Sequence, residues 1–446
     1  MIVDLVLVNS KAYMNKAIVD CSLAIDDGKI VKIGRETNMP SSDARFDLKN
    51  LLLLPGLIDA HVHLRDEGKT YKEDFYSGTA AASAGGMTTV LDMPNNAPVT
   101  MSVETLRNRM GLAERKVLVN VGFYSEFPKD NSEIQMVTRE GAVGFKLYMA
   151  EQVGGLDIHD DQAIMDAFKV AGSLGIVTAT HAEDEQTLKR NEYEFKSIGR
   201  NDINAFLMAH SEDVEVKAIE RLLKLARQAG IHLHFCHVST EAGMTKIIEA
   251  KKSELQVTCE ATPHHLFLSV RDLERAGSLA VTMPPLRDRR DVDHLWEAVK
   301  NGWVDVIGSD HAPHTLKEKE AESVWDVKVG IPGLETTLPL LLTEIKRGRI
   351  TIGDLVRLMA EKPAGIFNLK TKGYLKEGND ADLTVIDLRK KYKIDSSQFH
   401  SKAKFSPFDG REVQGKPVKT FVAGQLIMDD GEIVAKPRSD CIIRRE

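Results

Sequence analysis

From about residue 55 to 365, short apolar runs alternate with longer stretches in which apolar residues recur every three or four positions. The runs at 57–63, 87–92, 117–123, 142–148, 175–180, 231–237, 255–260 and 304–309 have the length and continuity of strands buried on both faces. Between them lie helical patterns such as Asp213–Ala229, with apolar residues on one face. Eight strand–helix units predict an α/β fold of the (β/α)8 TIM-like barrel type. An open doubly wound sheet is the alternative, but it would carry a Gly-rich phosphate turn after its first strand. Ala84-Gly85-Gly86 stands before the second strand instead and reads as a helix C-cap.

The two ends of the chain share a pattern. Ala24–Val31 and Ile427–Val434 both read as strand, Asp-Gly turn, strand, and Gly373–Leu388 adds a third β-rich piece. The expected organisation is a small composite β domain built from residues 1–54 and 366–446, flanking a barrel over 55–365.

Composition narrows the function. The 446 residues are 42% apolar and 28% charged, with a net charge of −7 and no basic block, which argues against a nucleic-acid surface. Four scattered cysteines without a CxxC pair fit a reducing compartment. Met1–Asp4 carries no cationic stretch ahead of an apolar one, and no apolar run reaches the roughly 18 residues of a membrane span. A cytoplasmic globular protein is expected.

The chemistry starts at Pro55-Gly56-Leu57-Ile58-Asp59-Ala60-His61-Val62-His63-Leu64-Arg65. Side chains alternate along a strand, so His61 and His63 share a face. That pair fits either an exposed polar edge or half of a metal site. Arg65 follows on the same face, as an ion-pair partner or as a clamp for a substrate carboxylate. Other polar residues close later strands: Lys146, His181, His237 and Asp310. In a barrel these would converge on the C-terminal rim. Lys146 could snorkel outwards. Facing inwards beside metal ions, its sensible form is the carbamate made by adding CO2, because a free ammonium would be repelled and desolvated.

These motifs continue along the chain as Lys72-Glu73-Asp74-Phe75, Ser77–Ala82, Ala84–Thr89, Asp92-Met93-Pro94-Asn95, Thr262–Leu266, Pro284-Pro285-Leu286-Arg287, Ser309–His314 and Pro332–Thr337. In order and spacing the set resembles the cyclic amidohydrolase superfamily, and within it the dihydroorotases. The resemblance implies two zinc ions (Zn2+), one on His61, His63 and Asp310, the other on His181 and His237, bridged by carbamylated Lys146. Asp310 would be the catalytic proton carrier. Arg65, Asn95 and His314 match carboxylate binders, and Pro332 and Gly333 match backbone contacts to the substrate ring. Met283 stands where many dihydroorotases carry a polar substrate contact. Cys236 and Glu260 match a third zinc site of some animal relatives, or else form a buried cysteine beside a strand-end carboxylate. His232, His234, His264 and His265 read as supporting or core residues. The implied reaction is the reversible cyclisation of N-carbamoyl-L-aspartate to L-dihydroorotate. Hydantoinases, dihydropyrimidinases and allantoinases are the rivals, and they typically lack an arginine at the Arg65 position. A dead scaffold relative is a further rival, but such proteins usually lose ligands, whereas all six positions are kept here. A homo-oligomer is expected, with an aspartate transcarbamoylase as candidate partner.

Overall fold

The computed structural model describes residues 2–445, and Met1 and Glu446, the outermost residues of the expected flanking regions, lie outside it. Eight parallel strands form the central sheet: Leu57–Val62, Met87–Asp92, Asn120–Glu126, Gly144–Tyr148, Thr178–His181, Leu233–Phe235, Val257–Ala261 and Val306–Ile307, each paired with its neighbour in chain order. A parallel bridge between Val62 and His311 joins the two edges into a nearly closed barrel. Both faces of these strands are buried, which explains their unbroken apolar character. Ile58, Leu91, Tyr124, Val177 and Val306 supply one buried apolar cluster together with Phe367 and Leu369.

The third strand differs from the sequence expectation, running over Asn120–Glu126 rather than 117–123. Its predicted start is held by a helix instead: the Leu118 N–H donates to Thr79 Oγ1 at 3.1 Å, so this peptide group is satisfied outside the ladder. The helix Phe75–Ala84 ends at Gly85, and Gly86 follows at φ +84°, as the Ala-Gly-Gly pattern predicts. The expected helix over Asp213–Ala229 is present as Glu212–Ala229, closed by Gly230 at φ +69°.

Both chain ends enter one nine-stranded sheet. Leu52–Pro55 pairs in parallel with Lys11 and Ala12 and antiparallel with Leu383–Ile386, so it stitches the N-terminal strands to the C-terminal ones. Asp27 and Gly28 at φ +46° and +70°, and Asp430 and Gly431 at +48° and +104°, make the two hairpin turns. Of the piece Gly373–Leu388, strand structure begins only at Leu383. Apolar residues from both ends, including Leu5, Leu23, Leu53, Leu383 and Phe421, share one cluster. Gly56 alone separates Pro55 from the first barrel strand, so the stitched sheet anchors the strand that carries His61.

Candidate active site

Six polar residues named from the sequence meet at the strand ends. His61 lies in the first strand and His63 just past it; Lys146 is within Gly144–Tyr148; His181 closes its strand; His237 and Asp310 follow theirs within three residues. Asp310 Oδ1 lies 3.3 Å from His61 Nε2 and 3.2 Å from His63 Nε2. His181 Nδ1 faces His237 Nε2 at 3.1 Å, and the His61 and His237 rings are 5.3 Å apart. Arg65, His237 and Asp310 have φ of +61°, +35° and +46°, a region costly for residues with a Cβ. Sparsely populated backbone gathered at strand ends turns side chains into the mouth.

The partners of each imidazole say which nitrogen is free. His61 Nδ1 is 2.9 Å from Glu260 Oε1, His63 Nδ1 is 2.8 Å from Asn95 Oδ1, and His181 Nε2 is 2.8 Å from Glu183 Oε2. Each partner is an acceptor, so those ring nitrogens carry the protons. Lone pairs remain on Nε2 of His61 and His63, both aimed at an oxygen of Asp310, and on His181 Nδ1, aimed at His237. The Nε2 lone pairs of His61 and His63 and the Asp310 oxygen, crowded together with no ring proton between them, repel unless a cation sits among them. His237 Nδ1 has no hydrogen-bond partner, which leaves its Nε2 free to carry a proton toward His181 Nδ1. A divalent ion with nitrogen and oxygen donors fits this arrangement. His61, His63 and Asp310 have donor atoms within 4.8 Å of one another, the spacing of a ligand group. Burial lowers the proton affinity of His61, and lowers that of His63 well below the usual imidazole range, which keeps both rings in the neutral, ligating form. Burial also raises Asp310, against the pull of His61.

Lys146 is fully buried, so the outward reading does not hold. Its Nζ lies 3.0 Å from Cys236 Sγ and 5.1 Å from the Tyr148 ring centre. Cys236, pushed up to about 12 chiefly by burial, stays a thiol and offers little compensation. Glu260 receives the His61 ring proton and the His237 backbone N–H (3.0 Å) on the same oxygen, while its other oxygen has no hydrogen-bond partner and lies 3.9 Å from His234 Nε2. Burial alone would raise this carboxyl, but His61 and His234 hold it well below the usual range. His61, Cys236 and Glu260 form a second compact donor group. Gly308 leaves room for it: a Cβ there would stand 2.5 Å from Glu260 Oε2 and 3.1 Å from His61 Cβ.

Beside the cluster, Arg65 is buried with its Nε unpartnered and its Nη2 3.4 Å from His314 Nε2. Asn95 uses its oxygen to orient His63, which leaves its amide N–H groups for a ligand. The Gly333 N–H donates to His311 Nδ1 at 3.2 Å, and the Gly333 carbonyl accepts from Thr336 and Thr337. Both backbone groups of Gly333 are thus engaged within the protein. Met283 is half-buried on the segment whose Pro284 carbonyl accepts from Thr282 and His265.

The remaining histidines have other partners: His232 and His234 contact Thr258, and His264 and His265 contact Thr262. Glu183 was not singled out in the sequence, yet it spans His181 and His210, the latter at 2.7 Å. The signal was present, since Glu183 follows His181 by two positions as His63 follows His61.

The Amidohydrolase family profile matches residues 52–427. A dihydroorotase of Methanosphaera stadtmanae is 36% identical, covering 96% of this chain and 97% of the relative. One of Pyrococcus horikoshii is 38% identical over 99% and 96%. An L-hydantoinase of Paenarthrobacter aurescens is 34% identical over 97% and 96%. Among solved structures, the L-hydantoinase (dihydropyrimidinase) of Arthrobacter aurescens superposes with a TM-score of 0.95 at 32% identity, over 99% of this chain and 100% of that one.

Proposed function

The chain belongs to the amidohydrolase family, and from that premise we propose that it is a dihydroorotase, interconverting N-carbamoyl-L-aspartate and L-dihydroorotate. The observation that carries this choice is Arg65, a buried guanidinium with a free Nε, set beside His314 and two positions past His63, whose ring Asn95 orients. A buried cation without a carboxylate partner matches a substrate that brings one. A plain hydantoin or allantoin ring brings none.

His61, His63 and Asp310 would hold one zinc ion and His181 and His237 a second, with Lys146, as its carbamate, bridging them. A third ion at Cys236 and Glu260 would require His61 Nδ1 and the Cys236 thiol to give up the protons they hold here. Zinc held by the first two groups would polarise the scissile carbonyl and bring the pKa of water toward roughly 7. In the hydrolytic direction Arg65, the Asn95 amide and His314 grip the substrate carboxylate, while the Pro332 carbonyl faces the ring. Asp310, raised by burial, accepts the proton of the attacking water and delivers it to the leaving ring nitrogen. In the synthetic direction Asp310 takes the proton from the carbamoyl nitrogen and returns it to the departing water.

The L-hydantoinase likeness favours a second reading, a hydantoinase. Metal-loaded protein assayed with L-dihydroorotate, hydantoin and allantoin separates the two. Turnover of L-dihydroorotate above the others supports the proposal, and its absence beside brisk hydantoin hydrolysis refutes it.

A further inference from the structure

Lys72 is buried between the carboxylate-binding side chains and the short helix Leu316–Lys319. Its Nζ lies 3.0 Å from His314 Nδ1 and 2.8 Å from Glu318 Oε1. An ammonium has only protons to give, so Nδ1 must accept. Across the ring, His314 Nε2 lies 2.9 Å from the Val329 carbonyl, which can only accept, so Nε2 must donate. Two independent partners thus impose the same tautomer. The Nε2–H lies 3.4 Å from Arg65 Nη2, which sets two donor groups side by side.

We infer that Lys72 is the positioning residue for carboxylate recognition: it fixes His314 as a neutral ring whose Nε2–H, beside Arg65, is shared between the Val329 carbonyl and the incoming carboxylate. The inference rests on the reading of Arg65 and His314 as carboxylate binders. The charged groups around the ring are the cations Arg65 and Lys72, the carboxylate of Glu318 3.7 Å from Nδ1, and Lys319, which burial lowers to about 7 and whose Nζ donates to the carbonyls of Val281, Lys328 and Gly330. Burial first, then Arg65, Lys72 and Lys319, hold His314 far below the ordinary imidazole range. Glu318 does not reach the ring as a partner because Lys72, the Tyr71 hydroxyl at 3.2 Å and the Thr315 N–H at 3.0 Å already claim it.

Removing the Lys72 ammonium frees Glu318 to accept a proton from Nδ1. A neutral ring would then turn the Nε2 lone pair toward both the Val329 carbonyl and the incoming carboxylate. Only the imidazolium would still donate there. Substrate binding, indifferent to His314 titration in the wild type, would weaken as pH rises through the restored imidazole pKa.

The test uses the full-length, metal-loaded enzyme. Nitrogen-15 spectra of labelled histidine, with His314 identified by its loss in His314→Asn, report the ring protons in substrate-free protein. They should show protonated Nε2 and bare Nδ1 in the wild type from about pH 5 to about pH 8.5, and a titrating ring in Lys72→Met. KM for L-dihydroorotate in Lys72→Met should rise about tenfold or more across that range, with kcat unchanged, while wild type and Lys72→Arg stay flat. A wild-type ring protonated at Nδ1 overturns the inference, and so does a Lys72→Met protein with the wild-type spectrum and a flat KM. Equal losses in both variants without a change in the ring spectrum also overturn it. If Arg65→Met leaves KM for L-dihydroorotate untouched, the carboxylate reading itself fails; the His314 spectrum tests Lys72 whichever substrate is turned over.

Discussion

A single lysine carries the sharpest residue-scale consequence. Lys146 is buried among imidazoles with a thiol as its hydrogen-bond partner, a setting that an ammonium tolerates poorly and a carbamate anion suits. Intact-mass or density measurements on Lys146 should show an added CO2. Lys146→Ala should bind the second zinc poorly and lose most activity, with partial recovery on adding short-chain carboxylic acids. Two zinc ions and full activity in that variant would refute the bridging role. The histidines themselves were legible in the sequence, because alternation along a strand dictates that His61 and His63 share a face. The nitrogen each one offers was not legible. It is set by Glu260, Asn95 and Glu183; Glu260 reaches His61 from another strand and Asn95 reaches His63 from the loop after the second strand, beyond any local pattern.

At the scale of elements, periodicity found all eight barrel strands in order, and it erred where a side chain substitutes for a ladder partner, as Thr79 does for Leu118. Nor could it show how helices are locked to strands. Arg109, on the helix Val103–Ala113, is fully buried; its Nε donates at 3.0 Å to Asp92, which ends the second strand, and its Nη2 pairs with the same carboxylate. Asp92 in turn accepts the Leu64 N–H at 2.8 Å, next to His63 and Arg65. Truncating one member of a buried pair strands the other, so Arg109→Met should cost about 3–5 kcal/mol of stability. Chemical denaturation measures this directly, and a loss below about 1 kcal/mol would show that Asp92 finds relief elsewhere.

For the whole molecule, the barrel and the sheet from the two chain ends must act as one body, and the turn signals at Asp27-Gly28 and Asp430-Gly431 announced only half of that. Leu52–Pro55 joins the two ends, a long-range pairing that no local pattern encodes. Glu335 makes a second tie, accepting the N–H groups of His400 and Ser401 at 2.9 and 3.2 Å. Burial pushes its carboxyl up to about 8, from an ordinary 4.5, against those bonds. The native state therefore keeps a proton that the unfolded chain has released, and stability attributable to Glu335 falls as pH climbs from about 4.5 to about 8. Unfolding free energies at about pH 5 and about pH 8 should differ less in Glu335→Gln than in the wild type, and an unchanged slope would place the titration elsewhere. The central claim, a metal-dependent ring opening selected by a substrate carboxylate on Arg65, is tested most directly by one ratio: kcat/KM for L-dihydroorotate over that for hydantoin, in wild type and Arg65→Met with matched zinc content. The account predicts a ratio well above one that falls at least about 30-fold in the variant, since losing such a buried charge pair costs about 2–5 kcal/mol. A wild-type preference for hydantoin, or a ratio that Arg65→Met leaves unchanged, would contradict it.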